Sequence, residues 1–360
     1  MNLKRLLERV PADREAEERA WSVVRAAYAE REPVRRVPRR RLMLAGVALA
    51  GAVAAAALSP PGQAVVNAVR RSIGISHAAP ALFRLPAPGR LLVSDGGVGG
   101  TWVVNVDGSK RRLGDYTQAA WSPHGLYVIA ASSSEVAAIE PSNGGVRWSI
   151  ARPSVAFPRW GGSRTNTRVA YLSRGQLHVV AGDGTGDAAV AGRSHIAPAW
   201  RPGDRLQLAF VASDGRVRLL GAWRSSQRYA KPRSLVWSPD GKKLLLVTAR
   251  QLVLFDPGSG RARVLRLRDV SAAAFSPQGQ LAVVHGKALL VFDGEQTRTV
   301  FKTLNRLQGL AWSPNGRWLL TALPSADQWI FVGGRRVLAV SHIARQFGGT
   351  PSLDGWVTGP

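Results

Sequence analysis

The chain has 360 residues, enough for one large β domain or two average domains, and 45% of them are hydrophobic, which excludes a globally disordered protein. It carries 49 basic and 23 acidic residues, and this net charge of +26 predicts anionic surroundings. The absence of cysteine excludes disulfides, thiolate metal sites, a cysteine nucleophile and a lipoprotein anchor.

Residues 1–41 are a basic segment that predicts two short amphipathic helices. The second helix would place Trp21, Val24 and Tyr28 on one face. We interpret this face as a candidate surface for a cytosolic regulator, because helices this short are marginal in water without a partner. The alternative is that both helices lie on the inner leaflet with their arginines among lipid headgroups.

Residues 42–58 contain no charged side chain and predict a transmembrane helix. Five arginines precede it, which predicts a cytosolic N-terminus and an extracytoplasmic remainder of the chain. The alternative is a cleaved twin-arginine export signal, with Arg39–Met43 as its motif and Ala54–Ala56 as its cleavage site. Residues 59–89 predict a juxtamembrane helix and a linker rich in proline and alanine.

An internal repeat dominates residues 90–360. Apolar strands end in an aromatic anchor at intervals of 39, 40, 37, 38 and 37 residues. The anchors are Trp121, Trp160, Trp200, Trp237, Phe275 and Trp312. Each unit predicts four short strands, so the sequence predicts an all-β fold, a β-propeller of about seven four-stranded blades, with six as the alternative. The strands at 91–113 and at 344–357 would together complete the seventh blade, with Phe347 as its anchor.

A Ser-Pro-X-Gly turn follows most anchors, and its proline and glycine suit a tight hairpin. The predicted turn residues are Pro123, Gly125, Pro239, Asp240, Gly241, Pro277, Gly279, Pro314 and Gly316. The full WSPDG motif stands only at 237–241, and residues 90–357 resemble the TolB-type, WD-repeat-like propeller family, which carries this turn before an apolar strand. The resemblance implies a propeller in the bacterial envelope.

The sequence predicts no catalytic residue, no metal site and no cofactor. A serine hydrolase elbow is missing, and the histidines at 77, 124, 178, 195, 285 and 342 are dispersed. Residues 89–360 hold 34 basic and 16 acidic residues, and many arginines fall in predicted outer strands, where charge protects the edges from pairing with other chains.

These observations predict a non-catalytic binding or protein-interaction scaffold anchored in the bacterial cytoplasmic membrane. Its expected partners are envelope proteins or anionic envelope polymers, and not nucleic acid, because the tryptophans are already used as packing anchors. The alternative is a transmembrane signalling regulator. Its topology resembles that of anti-sigma factors, with the propeller as sensor and residues 1–34 binding a cytosolic transcription regulator.

Overall fold

The computed structural model describes residues 78–79 and 84–358, except for positions 98, 164 and 295. The predicted helices at 1–41, the apolar segment at 42–58 and most of the linker at 59–89 lie outside these residues. No helix within the described part of the chain is long and apolar enough to cross a membrane.

The described residues form seven β-sheets, which we number as blades 1 to 7 along the chain. The chain begins with β1 (Ala78–Ala79), and blade 1 then takes β2 (Arg90–Asp95), β3 (Gly100–Val104) and β4 (Lys110–Gly114). Blade 2 contains β5 (Gln118–Trp121), β6 (Val128–Ala131), β7 (Glu135–Ile139) and β8 (Val146–Ala151). Blade 3 contains β9 (Val155–Gly162), β10 (Thr167–Ser173), β11 (Gln176–Ala181) and β12 (Ala188–Arg193).

The remaining blades follow the same order of strands. Blade 4 contains β13 (Ala199–Trp200), β14 (Leu208–Val211) and β15 (Val217–Leu219), and blade 5 contains β16 (Pro232–Trp237), β17 (Leu244–Thr248), β18 (Leu252–Asp256) and β19 (Arg261–Leu265). Blade 6 contains β20 (Val270–Phe275), β21 (Leu281–His285), β22 (Ala288–Asp293) and β23 (Gln296–Lys302). Blade 7 contains β24 (Gln308–Trp312), β25 (Leu319–Leu323), β26 (Gln328–Gly333) and β27 (Arg336–Ser341), with a 3-10 helix at Pro324–Ala326. A short helix, α1 (Ile343–Phe347), then leads to β28 (Ser352–Val357).

The C-terminal strand closes the ring. Strand β28 pairs antiparallel with β2, so that Trp356 lies opposite Leu91, and it becomes the first strand of blade 1. The prediction of an all-β propeller with seven blades is therefore confirmed. The first strands of neighbouring blades contact one another around the axis, which makes them the inner strands.

Two blades depart from the four-stranded pattern. Blade 4 has three strands, because the chain after β15 is held by Ser225 in place of a fourth strand. The Ser225 amide donates to the Val217 carbonyl, and its hydroxyl accepts from the Val217 amide at 3.1 Å. Blade 7 has five strands, because β1 pairs parallel with β27 on its outer edge.

The anchor of blade 1 was predicted wrongly. Phe347 lies at the end of α1 and not in an inner strand; it is fully buried and stacks on Trp329 at 5.0 Å between ring centroids. Trp356 takes the inner-strand position in β28. The helix inserted between blade 7 and β28 lengthens the last repeat, so the regular spacing points to the wrong aromatic residue.

The hydrophobic core consists of layers between neighbouring blades. Each of seven buried clusters combines residues from two adjacent blades. Because each sheet has both faces covered, strands such as β17 (LLLVT) are buried at every position, and four of its five residues are apolar. We call the interface between two neighbouring blades a seam. Apolar packing at the seams therefore stabilises the ring, and the candidate site lies at one of them.

Candidate functional site

The Ser-Pro-X-Gly turns connect the inner strand of a blade to its second strand. In the turn at 238–241, the Gly241 amide donates to the Ser238 carbonyl at 2.9 Å, with Gly241 at a φ of +66° that residues with a Cβ resist. The Asp240 carboxylate accepts from the Ser238 hydroxyl at 2.6 Å and the Lys242 amide at 3.0 Å, and these bonds hold its pKa below the usual range. The same backbone bond closes the turns that contain Gly125, Gly279 and Gly316. Prolines 123, 239, 277 and 314 lie within these turns.

The anchor tryptophans join neighbouring blades through a repeated hydrogen bond. The indole Nε1 of each donates to the carbonyl of the residue just before the anchor of the preceding blade. The four bonds run from Trp121 to Gly355 at 3.3 Å, and from Trp200 to Arg159, from Trp237 to Ala199 and from Trp312 to Ala274 at 3.1 Å each. These tryptophans thus serve as blade-to-blade links, and we call this bond the indole link.

Three seams lack an indole link among the described residues. The Nε1 atoms of Trp160 and Trp356 are buried without a hydrogen-bond partner. The Trp160 ring instead stacks on Tyr127 at 5.9 Å between centroids. In blade 6 the anchor is Phe275, which has no N–H to donate. The seam between blades 5 and 6 is therefore the one at which the side chain itself excludes the link.

Polar side chains join several blades nearer the opposite ends of the inner strands. The Arg233 guanidinium of blade 5 donates to the Val270 carbonyl of blade 6, and the Ser271 hydroxyl donates to the Leu307 carbonyl of blade 7. Arg233 and Ser271 both lie at register shifts in their strands, which turn a side chain out of the regular alternation. The seam between blades 5 and 6 thus has a hydrogen bond from Arg233 at one end and no indole link at the other, where Phe275 lies.

A groove opens at the unlinked end of this seam, on the face that carries the Ser-Pro-X-Gly turns. Its cavity volume is about 610 Å³. We call it the seam groove, and its side walls are formed by Lys243, Leu254, Arg263 and Leu265 of blade 5 and by Phe275, Leu281, Phe292 and Thr297 of blade 6. The rings of Phe275 and Phe292 are only partly buried, as are Leu254 and Leu265. The groove therefore presents apolar surface to solvent within a polar rim.

The free charge at the seam groove is positive. Lys243 Nζ is neutralised by Asp256 at 2.7 Å, and this ion pair lowers the pKa of Asp256 to about 2. Asp240 is held in its own turn, with Lys242 Nζ 4.0 Å away. Arg263 and its strand neighbour Arg261 are exposed, and the described residues place no carboxylate within ion-pair distance of either. What remains unpaired is therefore a pair of guanidinium groups.

The inner strand of blade 1 carries one unusual carboxyl group. Asp354 lies at a register shift of β28 and accepts hydrogen bonds from the hydroxyls of Ser94 and Ser352. Burial raises its pKa to about 7, against those hydrogen bonds and the charge of Arg159. Because Asp354 is held by two serines of its own blade, we assign it a structural role.

A second polar cluster spans the seam between blades 2 and 3. The Asp187 carboxylate accepts from the Tyr171 hydroxyl at 2.6 Å and from Arg152 Nη2 at 2.6 Å, and His178 Nδ1 lies 3.5 Å away. Burial raises the pKa of Tyr171. Arg152 thus pairs with the Asp187 carboxylate across the seam, and none of these four side chains lines the seam groove. Within the part of the chain that the structure describes, no group of three His, Cys, Asp or Glu residues is arranged to hold a metal ion.

The structure gives three outcomes for the sequence-predicted anchors and partner face. The anchors Trp121, Trp200, Trp237 and Trp312 form indole links, whereas Trp160 does not. The candidate partner face of Trp21, Val24 and Tyr28 lies outside the described residues. Sequence reasoning missed the seam groove, although its one signal was present: Phe275 is the single phenylalanine in the inner-strand series of tryptophans.

Comparisons with known proteins agree on the repeat and the fold. Residues 294–332 match the family model WD domain, G-beta repeat. A chain in the crystal structure of a mitotic checkpoint complex is similar at 17% identity and a TM-score of 0.54, over 72% of this chain and 97% of that one. The propeller domain of Cps50 (Swd1) from Myceliophteria thermophila matches at 13% identity and a TM-score of 0.49, over 61% of this chain and 84% of that one. Hydrazine synthase from Kuenenia stuttgartiensis matches at 15% identity and a TM-score of 0.45, over 60% and 75% of the two chains. At 17% identity the likeness to the checkpoint-complex chain concerns the fold alone, and the family model adds a WD repeat at 294–332.

Proposed function

We propose that this protein is a non-catalytic interaction scaffold that binds a protein partner in the seam groove. The observation that carries the proposal is the groove itself, an uncovered apolar cavity of about 610 Å³ at the one seam whose anchor, Phe275, has no donor for an indole link. Partly exposed aromatic rings inside a polar rim are the surface that protein partners anchor on. The WD repeat at 294–332 supports the same function, because such propellers commonly bind proteins.

The proposal places the propeller outside the bacterial cytoplasmic membrane. Its support is the sequence: an apolar segment at 42–58 preceded by five arginines, and the resemblance of residues 90–357 to TolB-type propellers. An anchored propeller would present its groove to other envelope proteins at high local concentration. An anionic envelope polymer, bound by the unpaired arginines alone, is the competing occupant.

The test is crosslinking and affinity capture from the native host with the full chain. The partner should be captured by the wild type and by Arg111→Glu, a charge reversal on the exposed outer strand of blade 1. It should be captured less well by Phe275→Trp, because the larger ring takes up part of the apolar space of the groove. Capture that is equal in all three chains would contradict a role for the groove.

A chain lacking residues 2–34 separates the scaffold from the signalling alternative. The scaffold predicts that the same envelope protein is captured with and without this segment. Capture of a sigma factor or another regulator only by the intact N-terminus would instead replace the scaffold with the signalling function. Loss of capture after digestion of envelope polysaccharide would identify a polymer as the occupant.

A further inference from the structure

We infer that the seam groove selects an extended acidic peptide segment that carries one large apolar side chain, an inference that rests on the scaffold function proposed above. The apolar part of this chemistry follows from the walls. Leu254 and Leu265 of blade 5 face Phe275 and Phe292 of blade 6 within one cluster, and all four are partly exposed. An aromatic or aliphatic side chain of a partner would cover surface that the protein leaves in contact with water.

The acidic part follows from the charges that stay unpaired. The acidic side chains at the groove are already engaged, Asp256 by Lys243 at 2.7 Å and Asp240 by its own turn. Arg261 and Arg263 are exposed and, among the described residues, have no ion-pair partner. A guanidinium binds a carboxylate through two parallel hydrogen bonds, so an acidic segment is the partner that these two groups favour.

The extended conformation follows from the register of β19. Leu254 lies opposite Arg263 and Asp256 lies opposite Arg261, so both arginines project from the same face of the outer strand as Leu254. Residues two apart on a strand are separated by about 6.8 Å, since the rise is about 3.4 Å per residue. An extended peptide with carboxylates at alternate positions has the same repeat. The two arginines therefore match an extended segment whose carboxylates stand at alternate positions.

The lining of the groove sets the order of the apolar and acidic side chains along the peptide. Arg263 and Leu265 line the same groove, whereas Arg261 lies beyond Arg263 toward the β18–β19 turn. The apolar side chain of the ligand should thus enter between the two blades, and its acidic residues should follow outward along β19. A segment with this pattern would contact both blades at once, with its apolar side chain beside Phe275 and its carboxylates beside Arg263 and Arg261.

The test uses fluorescence polarisation with the full chain in mild detergent. The probe is a labelled peptide in which glutamates alternate with serines around one central phenylalanine. We expect binding that weakens at least tenfold with Arg263→Glu and with Phe275→Trp, and that falls as salt is raised. The control Arg111→Glu changes the same charge on the outer strand of blade 1 and should bind the probe as the wild type does.

Two altered probes separate the parts of the inference. Replacing the glutamates by glutamines should abolish binding if carboxylates are recognised, and replacing the phenylalanine by alanine should abolish it if the groove takes an apolar anchor. Equal affinity of all three peptides would overturn the inference, as would equal binding of the acidic probe to the wild type and Arg263→Glu.

The outcomes also distinguish this inference from the scaffold function. If the native partner is lost with Phe275→Trp but retained with Arg263→Glu, the groove is the binding site and the acidic chemistry is wrong. If the native partner is retained by both variants, the scaffold function at this groove is itself wrong. Loss of the partner in both variants, together with binding of the acidic probe, supports both.

Discussion

The indole link is the feature of this propeller whose energy is most directly testable. In Trp312→Phe the ring still packs between blades 6 and 7, but the Nε1 donor, 3.1 Å from the Ala274 carbonyl, is lost. A net hydrogen bond contributes about 1 kcal/mol, and a carbonyl left unpaired in a partly buried seam raises the cost to about 1–3 kcal/mol. We expect Trp312→Phe to lower the free energy of unfolding by this amount.

Trp160→Phe is the matched control, because it removes the same atoms at the same position of another blade. The Trp160 Nε1 is buried without a hydrogen-bond partner among the described residues, so its removal leaves no acceptor unpaired. Urea unfolding followed by far-ultraviolet circular dichroism gives both free energies without relying on tryptophan fluorescence. The link should appear as a difference of about 1 kcal/mol or more between the two variants. Equal losses in both would refute the assignment of stability to the hydrogen bond.

Three further predictions concern single residues. Gly241→Ala should cost about 1 kcal/mol in urea unfolding, because position 241 has a φ of +66°; an unchanged midpoint would contradict the turn assignment. The folded pKa of Asp354, about 7, lies above its ordinary 3.8, so its contribution to stability is full below pH 3.8 and is lost as pH rises toward 7. Asp354→Asn should therefore gain stability relative to the wild type across that window, and parallel pH profiles would argue against it. Arg152→Gln should lower the free energy of unfolding more than Arg147→Gln does, because it leaves the buried Asp187 carboxylate without its cation, whereas Arg147→Gln breaks an exposed pair. Equal losses in urea unfolding would contradict this ranking.

The number of blades could be read from the sequence because the physical cause of the repeat is local. An aromatic residue at the end of each inner strand must reach the neighbouring blade, and a tight turn must follow it, so both recur once per blade. The exception is instructive. Phe347 is as apolar as the other anchors and follows Trp312 by 35 residues, but it lies in α1, and β28 brings Trp356, 44 residues after Trp312, to the inner ring. Spacing alone does not distinguish an inserted helix from a repeat whose turn motif has diverged.

The candidate site could not be predicted in the same way, because it depends on how two sheets face each other. The arginines of β19 are visible in the sequence as outer-strand charge, which by itself indicates only protection of an edge. Whether Arg263 lies beside apolar surface is decided by the register of β18 with β19 and by the separation of blades 5 and 6. The phenylalanine at position 275 is visible in the sequence, but that it leaves the Val236 carbonyl without an indole donor becomes clear only once the indole links are known.

The missing indole link at the seam groove should lower the free energy of unfolding of the protein. The variant Phe275→Trp measures the size of this effect. The register of the other links places the missing acceptor at the Val236 carbonyl, the residue before the anchor of blade 5. An indole at position 275 that reached this carbonyl would complete the link and raise the free energy of unfolding by about 1 kcal/mol. Because the same ring takes up part of the groove, stability should increase while partner binding falls, the usual relation where a functional site is left incompletely packed. A variant that is less stable than the wild type would show that the groove is too narrow for an indole, and one that is more stable yet binds the partner normally would separate the groove from function.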